Sequence, residues 1–226
     1  MSNISQYLRG KQSAAFTTSG TWSVPPSVNL LWIFGVGGGG GSGGGPSTSF
    51  LTNSQGGTGG QSGLFLIPGL ILPSSLAITI GAGGAAGSGG VHNGSTTVYG
   101  TNGSPGGNTT VNFASGYSGL VFQGGYGGYG NSSSIPSIML PADNQLLTGS
   151  SGTFSLGNCG SIYSPTGIFV NTGGVSLLGG ASPTAHAAGG TGYGWGGNGV
   201  ASSGSYTVNG SAGNVGGPGV VFLIWE

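Results

Sequence analysis

The chain is 226 residues long, with 57 glycines, 11 prolines, and two basic and two acidic side chains, Arg9, Lys11, Asp143 and Glu226. Two basic residues cannot follow a phosphate backbone, which argues against a nucleic-acid partner; the single cysteine, Cys159, excludes an internal disulfide framework and a multi-cysteine metal site. Disordered chains pair low hydrophobicity with high charge, whereas mean hydropathy here is +0.19 and only 2% of residues are charged.

An ordinary soluble surface is about 25–35% charged. This one must instead be wetted by Ser, Thr, Asn and backbone amides. A net charge near zero also removes the usual protection against self-association. The composition therefore fits a protein held in a larger particle.

In chain order, residues 1–14 form an N-terminal arm, polar at first, carrying Arg9 and Lys11 and almost no glycine. It has no apolar core behind its basic residues, so no secretory signal is expected. Residues 15–226 read as one glycine-rich β domain. In 16–36 (FTTSGTWSVPPSVNLLWIFGV) a strand is expected around 16–18, a turn at Ser19-Gly20 and a short strand at 22–24. A break at Pro25-Pro26 precedes a long strand over 29–36. Trp22 and Trp32 read as core or sheet-packing residues.

The apolar strand then runs into residues 37–45, glycine except for Ser42. Glycine costs about 1 kcal/mol per helical position relative to alanine, so no α-helix follows. Similar runs recur at 56–60, 81–90, 124–130, 189–199 and 213–219, and GGYGGYG at 124–130 places tyrosine at every third position. A three-residue period without internal hydrogen bonds is what a polyproline-II-type helix requires. Its N–H and C=O groups must find partners outside the segment, and side-by-side glycine helices allow this because backbones lacking Cβ approach closely.

Ordering so much glycine costs about 1–2 kcal/mol per residue, and each hydrogen bond returns only about 0.5–1.5 kcal/mol. Apolar strands must supply the stability. They are expected at 64–67, 70–72, 76–80, 120–122, 168–170, 175–178 and 220–225, the last pairing near 30–36. The fold class is thus all-β with polyglycine-II-type segments: short strands packed with a glycine-rich bundle, and little or no helix. Residues 46–55, 101–118, 131–170, 181–188 and 201–212 read as polar, aromatic loops between the glycine runs.

Enzyme chemistry finds little support. Gly40-Gly41-Ser42-Gly43-Gly44 satisfies Gly-x-Ser-x-Gly, but no helix-forming segment follows as a nucleophile elbow needs. Many Gly-x-Gly-x-x-Gly matches lack a βαβ unit and a downstream acidic residue. His92 and His186 have no carboxylate near them in sequence and read as loop residues, and no metal-ligand spacing is present. No catalysis and no cofactor are expected.

Phe16-x-x-x-Gly20-x-Trp22-x-x-Pro25, a β-rich run and then a long glycine run resembles the glycine-rich domain of bacteriophage tail-fibre and tail-tip proteins. Residues 76–84 (LAITIGAGG), 94–100 (GSTTVYG, read as a strand) and 216–225 (GGPGVVFLIW) resemble later parts of that pattern in the same order. The chain is also similar to adhesins at the tips of T-even long tail fibres, in which loops between bundled glycine helices read the host receptor.

The resemblance implies a virion protein, assembled in the host cytoplasm, that binds a bacterial surface protein, pilus or polysaccharide. It implies other tail or fibre proteins as partners and a homotrimer, with a monomeric cap as the second expectation; the longest apolar run, 64–72, is broken by Pro68 and Gly69 and too short to span a bilayer, so no membrane insertion is expected. Tyr and Trp give large contact area at low entropic cost. Candidate receptor contacts are Tyr126, Tyr129, Asp143, Tyr163, His186, Tyr193, Trp195 and Tyr206; candidate tail-attachment residues are Tyr7, Leu8, Arg9 and Lys11. Two other readings stand beside this one: an ice-binding protein, because some antifreeze proteins also bundle glycine helices with flat Thr/Ser faces, and a structural matrix or coat protein.

Overall fold

A computed structural model describes residues 11–49, 54–113, 119–130, 191–200 and 202–226, together with the backbone of short strands between 157 and 180. The strands are β1 (Gln12–Phe16), β2 (Gly20–Ser23), β3 (Leu30–Val36), β4 (Ser62–Pro68), β5 (Ser75–Thr79), β6 (Thr109–Phe113) and β7 (Leu120–Phe122). Two-residue strands follow: β8 (Gly157–Asn158), β9 (Ile162–Tyr163), β10 (Phe169–Val170), β11 (Val175–Ser176), β12 (Gly179–Gly180) and β13 (Thr191–Gly192). The last is β14 (Val220–Trp225). Among the described residues the only helical element is one 3-10 turn, Gly69–Ile71.

Two four-stranded antiparallel sheets face one another, in the orders β1-β14-β3-β4 and β2-β5-β6-β7. Period-2 alternation decides which side chains meet between them. From the first sheet Leu31, Ile33, Phe65, Ile67, Val221 and Leu223 point inward; from the second come Trp22, Leu76, Ile78, Val111, Leu120 and Phe122. Burying each such side chain contributes about 1.5–3 kcal/mol, which offsets the ordering of the glycines. Trp22 packs against Trp225 at a tilt of 55° with centroids 4.9 Å apart, and Phe65 meets Phe122 edge-on at 5.7 Å. Gly35 interrupts the apolar run of β3 because the Phe122 ring occupies the space its Cβ would need. As expected, the C-terminal strand pairs antiparallel with β3, Leu223 opposite Ile33.

At one level the strands give way to glycine-rich segments. We number these I (37–47), II (54–61), III (81–90), IV (98–108), V (123–130), VI (194–200) and VII (210–219). Segment I is buried along its whole length, and every N–H from Gly37 to Gly45 donates out of it in strict three-residue rotation. Gly37, Gly40 and Gly43 donate to segment II; Gly38, Gly41 and Gly44 to segment IV; Gly39, Ser42 and Gly45 to segment VII. Segments III, V and VI donate back, through Gly84 to Gly39, Gly125 to Gly38 and Gly197 to Gly40. The surrounding segments bond to one another in the closed order II-V-IV-III-VII-VI, so one glycine helix stands inside a ring of six. This is polyglycine-II packing. A Cβ on Gly41 would overlap Ala85 O, and one on Gly44 would overlap Ser88 O, which is why the interior tolerates almost nothing but glycine.

Ring segments also expose N–H groups on their outer side, and side chains of neighbouring segments accept from several of them. Gly124 N–H donates to Asn108 Oδ1 at 2.9 Å, Gly130 N–H to Asn102 Oδ1 at 3.0 Å, and Tyr126 N–H to Thr58 Oγ1 at 2.6 Å. Ser88 N–H donates to Thr101 Oγ1 at 2.7 Å.

Several expectations need correction. The first strand lies at Gln12–Phe16, so the sheet begins inside the arm drawn to residue 14. Residues 69–71 form the 3-10 turn and no strand, closed by Leu72 N–H to Gly69 O at 3.1 Å. The run 94–100 is no strand: Asn93 folds it into a turn, and only Val98 bridges to Ser47. Residues 101–118 are no simple loop either, since 101–108 belong to segment IV and Thr109–Phe113 pairs with both β5 and β7.

Candidate functional site

The chain path gives the molecule two ends. Strands β3, β5 and β7 run directly into segments I, III and V, and segments II, IV and VII run directly into β4, β6 and β14. The described chain termini meet at the sandwich end, where Gln12 pairs with Trp225 and Lys11 forms an ion pair with Glu226 at 3.4 Å. Segment III passes to segment IV at the opposite end, where residues 46–49 and 202–209 also lie. Residues 37–45 of segment I alone, nine positions at ~3.1 Å per residue, hold that tip about 28 Å beyond the sandwich.

Three described stretches meet at the tip: 46–49, 91–97 and 202–209. Ser47 Oγ donates to Val208 O at 2.8 Å, Ser203 N–H to Pro46 O at 3.1 Å, and Thr48 Oγ1 and Thr97 Oγ1 share a hydrogen bond of 2.9 Å. Gly94 N–H donates to Tyr206 O at 3.0 Å, joining the second stretch to the third. Asn93 Oδ1 accepts from Ser95 N–H at 3.1 Å and Thr96 N–H at 2.9 Å, an Asx-type turn. Gly94 follows at φ 81°, a conformation open to glycine and strained for other residues.

His92 is held in one orientation. Its backbone N–H reaches Asn209 Oδ1 at 2.8 Å and its ring Nδ1 reaches the same atom at 2.9 Å. An N–H needs an acceptor, which fixes the amide with its oxygen toward His92. An amide oxygen only accepts, so Nδ1 carries a proton in this contact, and Nε2 takes no part in it. Around it His92, Asn93, Ser95, Thr96, Thr207, Val208 and Asn209 are all exposed, and the described tip bears no charge. Such a surface can exchange hydrogen bonds with hydroxyl and amide groups; it offers nothing to neutralise an anion. Among the described residues no group of His, Cys, Asp and Glu side chains could hold a metal ion.

The candidate residues separate by position. Tyr206 lies in the tip. Tyr126 and Tyr129 stand on the flank of the bundle, 38% and 40% exposed. Tyr193 packs edge-on against Phe222 at 6.5 Å, and the Trp195 ring fills the space beside Gly217, so both are half-buried in the scaffold. For Tyr163 only the backbone, in β9, is described; Asp143 and His186 lie outside the described residues, as do Tyr7, Leu8 and Arg9. Lys11 is paired with Glu226 and sits 3.8 Å above the Trp32 ring. The sequence reading passed over His92 and Asn209 as site residues. The Asn93-Gly94 dipeptide was the available signal for the turn that displays them.

Compared with known proteins, the chain matches no family model and no curated sequence.

Proposed function

We propose that this chain is a receptor-binding protein of a phage tail fibre or tail tip, which adheres to the bacterial surface through the loops at the far end of its glycine bundle. One observation carries the reading. The first and last described residues and the apolar core sit at one end, the interlocked polar loops sit at the other, and a bundle with a fully buried central glycine helix separates them. Such a scaffold presents loops without flexing, which lowers the ordering cost of binding. The partner at the tip is a surface protein, pilus or polysaccharide. The sandwich end joins other tail or fibre proteins, and the working assembly is a homotrimer in the virion. Catalysis and cofactors have no part in this function.

Fluorescently labelled protein should bind host cells and compete with phage adsorption, and exchanging residues 91–97, 131–170 and 202–209 with those of a protein of different host range should move the binding to the other host. Unchanged host choice after all three exchanges would sink the proposal.

A second reading draws on one flank. Ala82, Ala85 and Ser88 on segment III stand exposed beside Ala212, Val215 and Pro218 on segment VII, a flat surface of small uncharged side chains suited to ice. Thermal hysteresis, with no cell binding, would favour it.

A further inference from the structure

Beyond adhesion at the tip, we propose that the outer groove between segments IV and V binds an extended peptide in the polyproline-II conformation. Segment V turns Tyr126 and Tyr129 outward, and segment IV, antiparallel to it, turns Asn102, Pro105 and Asn108 outward alongside. Among the described residues no ring stacks on either tyrosine. Each pair of outward residues three apart is separated by ~9 Å along the axis, the repeat of a three-residue helix rising ~3.1 Å per residue.

The hydrogen-bonding groups keep the same repeat. Asn108 Oδ1 accepts from Gly124 N–H and Asn102 Oδ1 from Gly130 N–H. Midway between them the pattern breaks: the same repeat pairs position 127 with Pro105, which has no side-chain acceptor to offer. The Nδ2 groups of Asn102 and Asn108 remain as donors on the rim. The groove thus presents a row of donors beside a row of tyrosine rings, both at the three-residue spacing.

A polyproline-II chain has the complementary chemistry. Its carbonyls make no internal hydrogen bonds and need donors, and its side chains fall into rows every third residue. Proline rings at Pro-x-x-Pro spacing would stack on Tyr126 and Tyr129, the mode by which aromatic-lined grooves read such segments. Glycans also stack on tyrosine, but nothing in their chemistry sets a repeat equal to that of the bundle. The match of repeats selects the peptide.

Isothermal titration of the full chain with a decaproline peptide tests this directly. The peptide should bind, Tyr126→Ala and Tyr129→Ala should each weaken binding about tenfold, and Tyr126→Phe should retain most of it. Pro105→Asn, which supplies the missing acceptor to Gly127, should also weaken binding while leaving both rings in place. In the unsubstituted protein, decaproline should slow exchange of the Gly127 amide, a readout independent of whether the variants fold. No binding, binding indifferent to both tyrosines, or a neutral oligosaccharide such as maltohexaose binding there in place of the peptide would overturn the proposal.

Discussion

Lys11 and Glu226 close the end of the first sheet: Lys11 Nζ lies 3.4 Å from Glu226 Oε2 and 3.8 Å from the centroid of the Trp32 ring. The Lys11 side chain is 11% exposed and that of Glu226 46%. An ion pair so open to water contributes at most about 1 kcal/mol, and the contact with the indole face adds about 0.5–1 kcal/mol. Lys11→Ala should therefore lower stability by about 1 kcal/mol, read as a lower urea midpoint at unchanged slope. High salt should shrink the ion-pair part of that difference. Lys11→Ala should not release the protein from its carrier. Loss of the protein from virions carrying a stably folded Lys11→Ala chain would return Lys11 to the attachment surface.

Gly41 and Ala85 test the packing rule of the bundle. Gly41 is enclosed and a methyl group there would overlap Ala85 O, whereas the Ala85 side chain points to solvent. Gly41→Ala should cost about 3 kcal/mol, at the upper end of overpacking penalties, because its neighbours are backbone and cannot turn aside. Ala85→Gly should cost under about 1 kcal/mol, from chain entropy alone. Equal midpoints for the two variants in chemical denaturation would show that the interior does not need bare backbones.

This packing rule also explains what was legible in the sequence. Apolar runs announced β3, β5, β7 and β14, and glycine-rich runs announced segments I, II, III, V, VI and VII. Segment IV escaped notice because it needs glycine only on the face toward segment I, at Gly100, Gly103 and Gly106; its other positions read as a polar loop. Its neighbour β6 was hidden because Thr109, Thr110 and Asn112 dilute the apolar signal of Val111 and Phe113. Thr96, Thr97 and Val98 suggested a strand, but Asn93 captured the local backbone first. The tip's key contact, His92 with Asn209, spans 117 positions in sequence, and no local pattern could pair them.

Hydrogen exchange should rank the glycines by position. The amides of Gly38 to Gly45 are buried and each has a carbonyl partner, so they should exchange only through global unfolding. Gly127, on the groove, should exchange orders of magnitude faster than Gly41 although both lie in glycine-rich segments. Fast exchange along the whole of segment I would show a tether in place of a rod.

The outer face of the first sheet bears on assembly. Trp32, Phe34, Leu64, Leu66, Phe222 and Ile224 all point away from the core; Leu64 and Leu66 are 46% and 44% exposed, and Phe34 lies 6.4 Å from Phe222. A contiguous apolar face on a chain almost without charge favours association. Leu66→Glu should shift sedimentation toward the monomer while leaving the melting temperature of the monomer within a few degrees. An unchanged oligomer would place the contact elsewhere.

At the tip, Asn209 fixes His92 through two hydrogen bonds to one oxygen, so Asn209→Ala should free the ring while leaving its atoms in place. Both residues are exposed, and the stability cost should stay within about 1 kcal/mol. If receptor contacts are made here, His92→Ala removes the imidazole ring and Asn209→Ala only disorders it. Host-cell binding should then fall in the order native, Asn209→Ala, His92→Ala, with a drop of about tenfold for the last. Off-rates measured on immobilised cell envelopes should carry most of that change, since substitutions in one interface act mainly on dissociation. Binding unchanged in His92→Ala would move recognition away from this stretch of the tip.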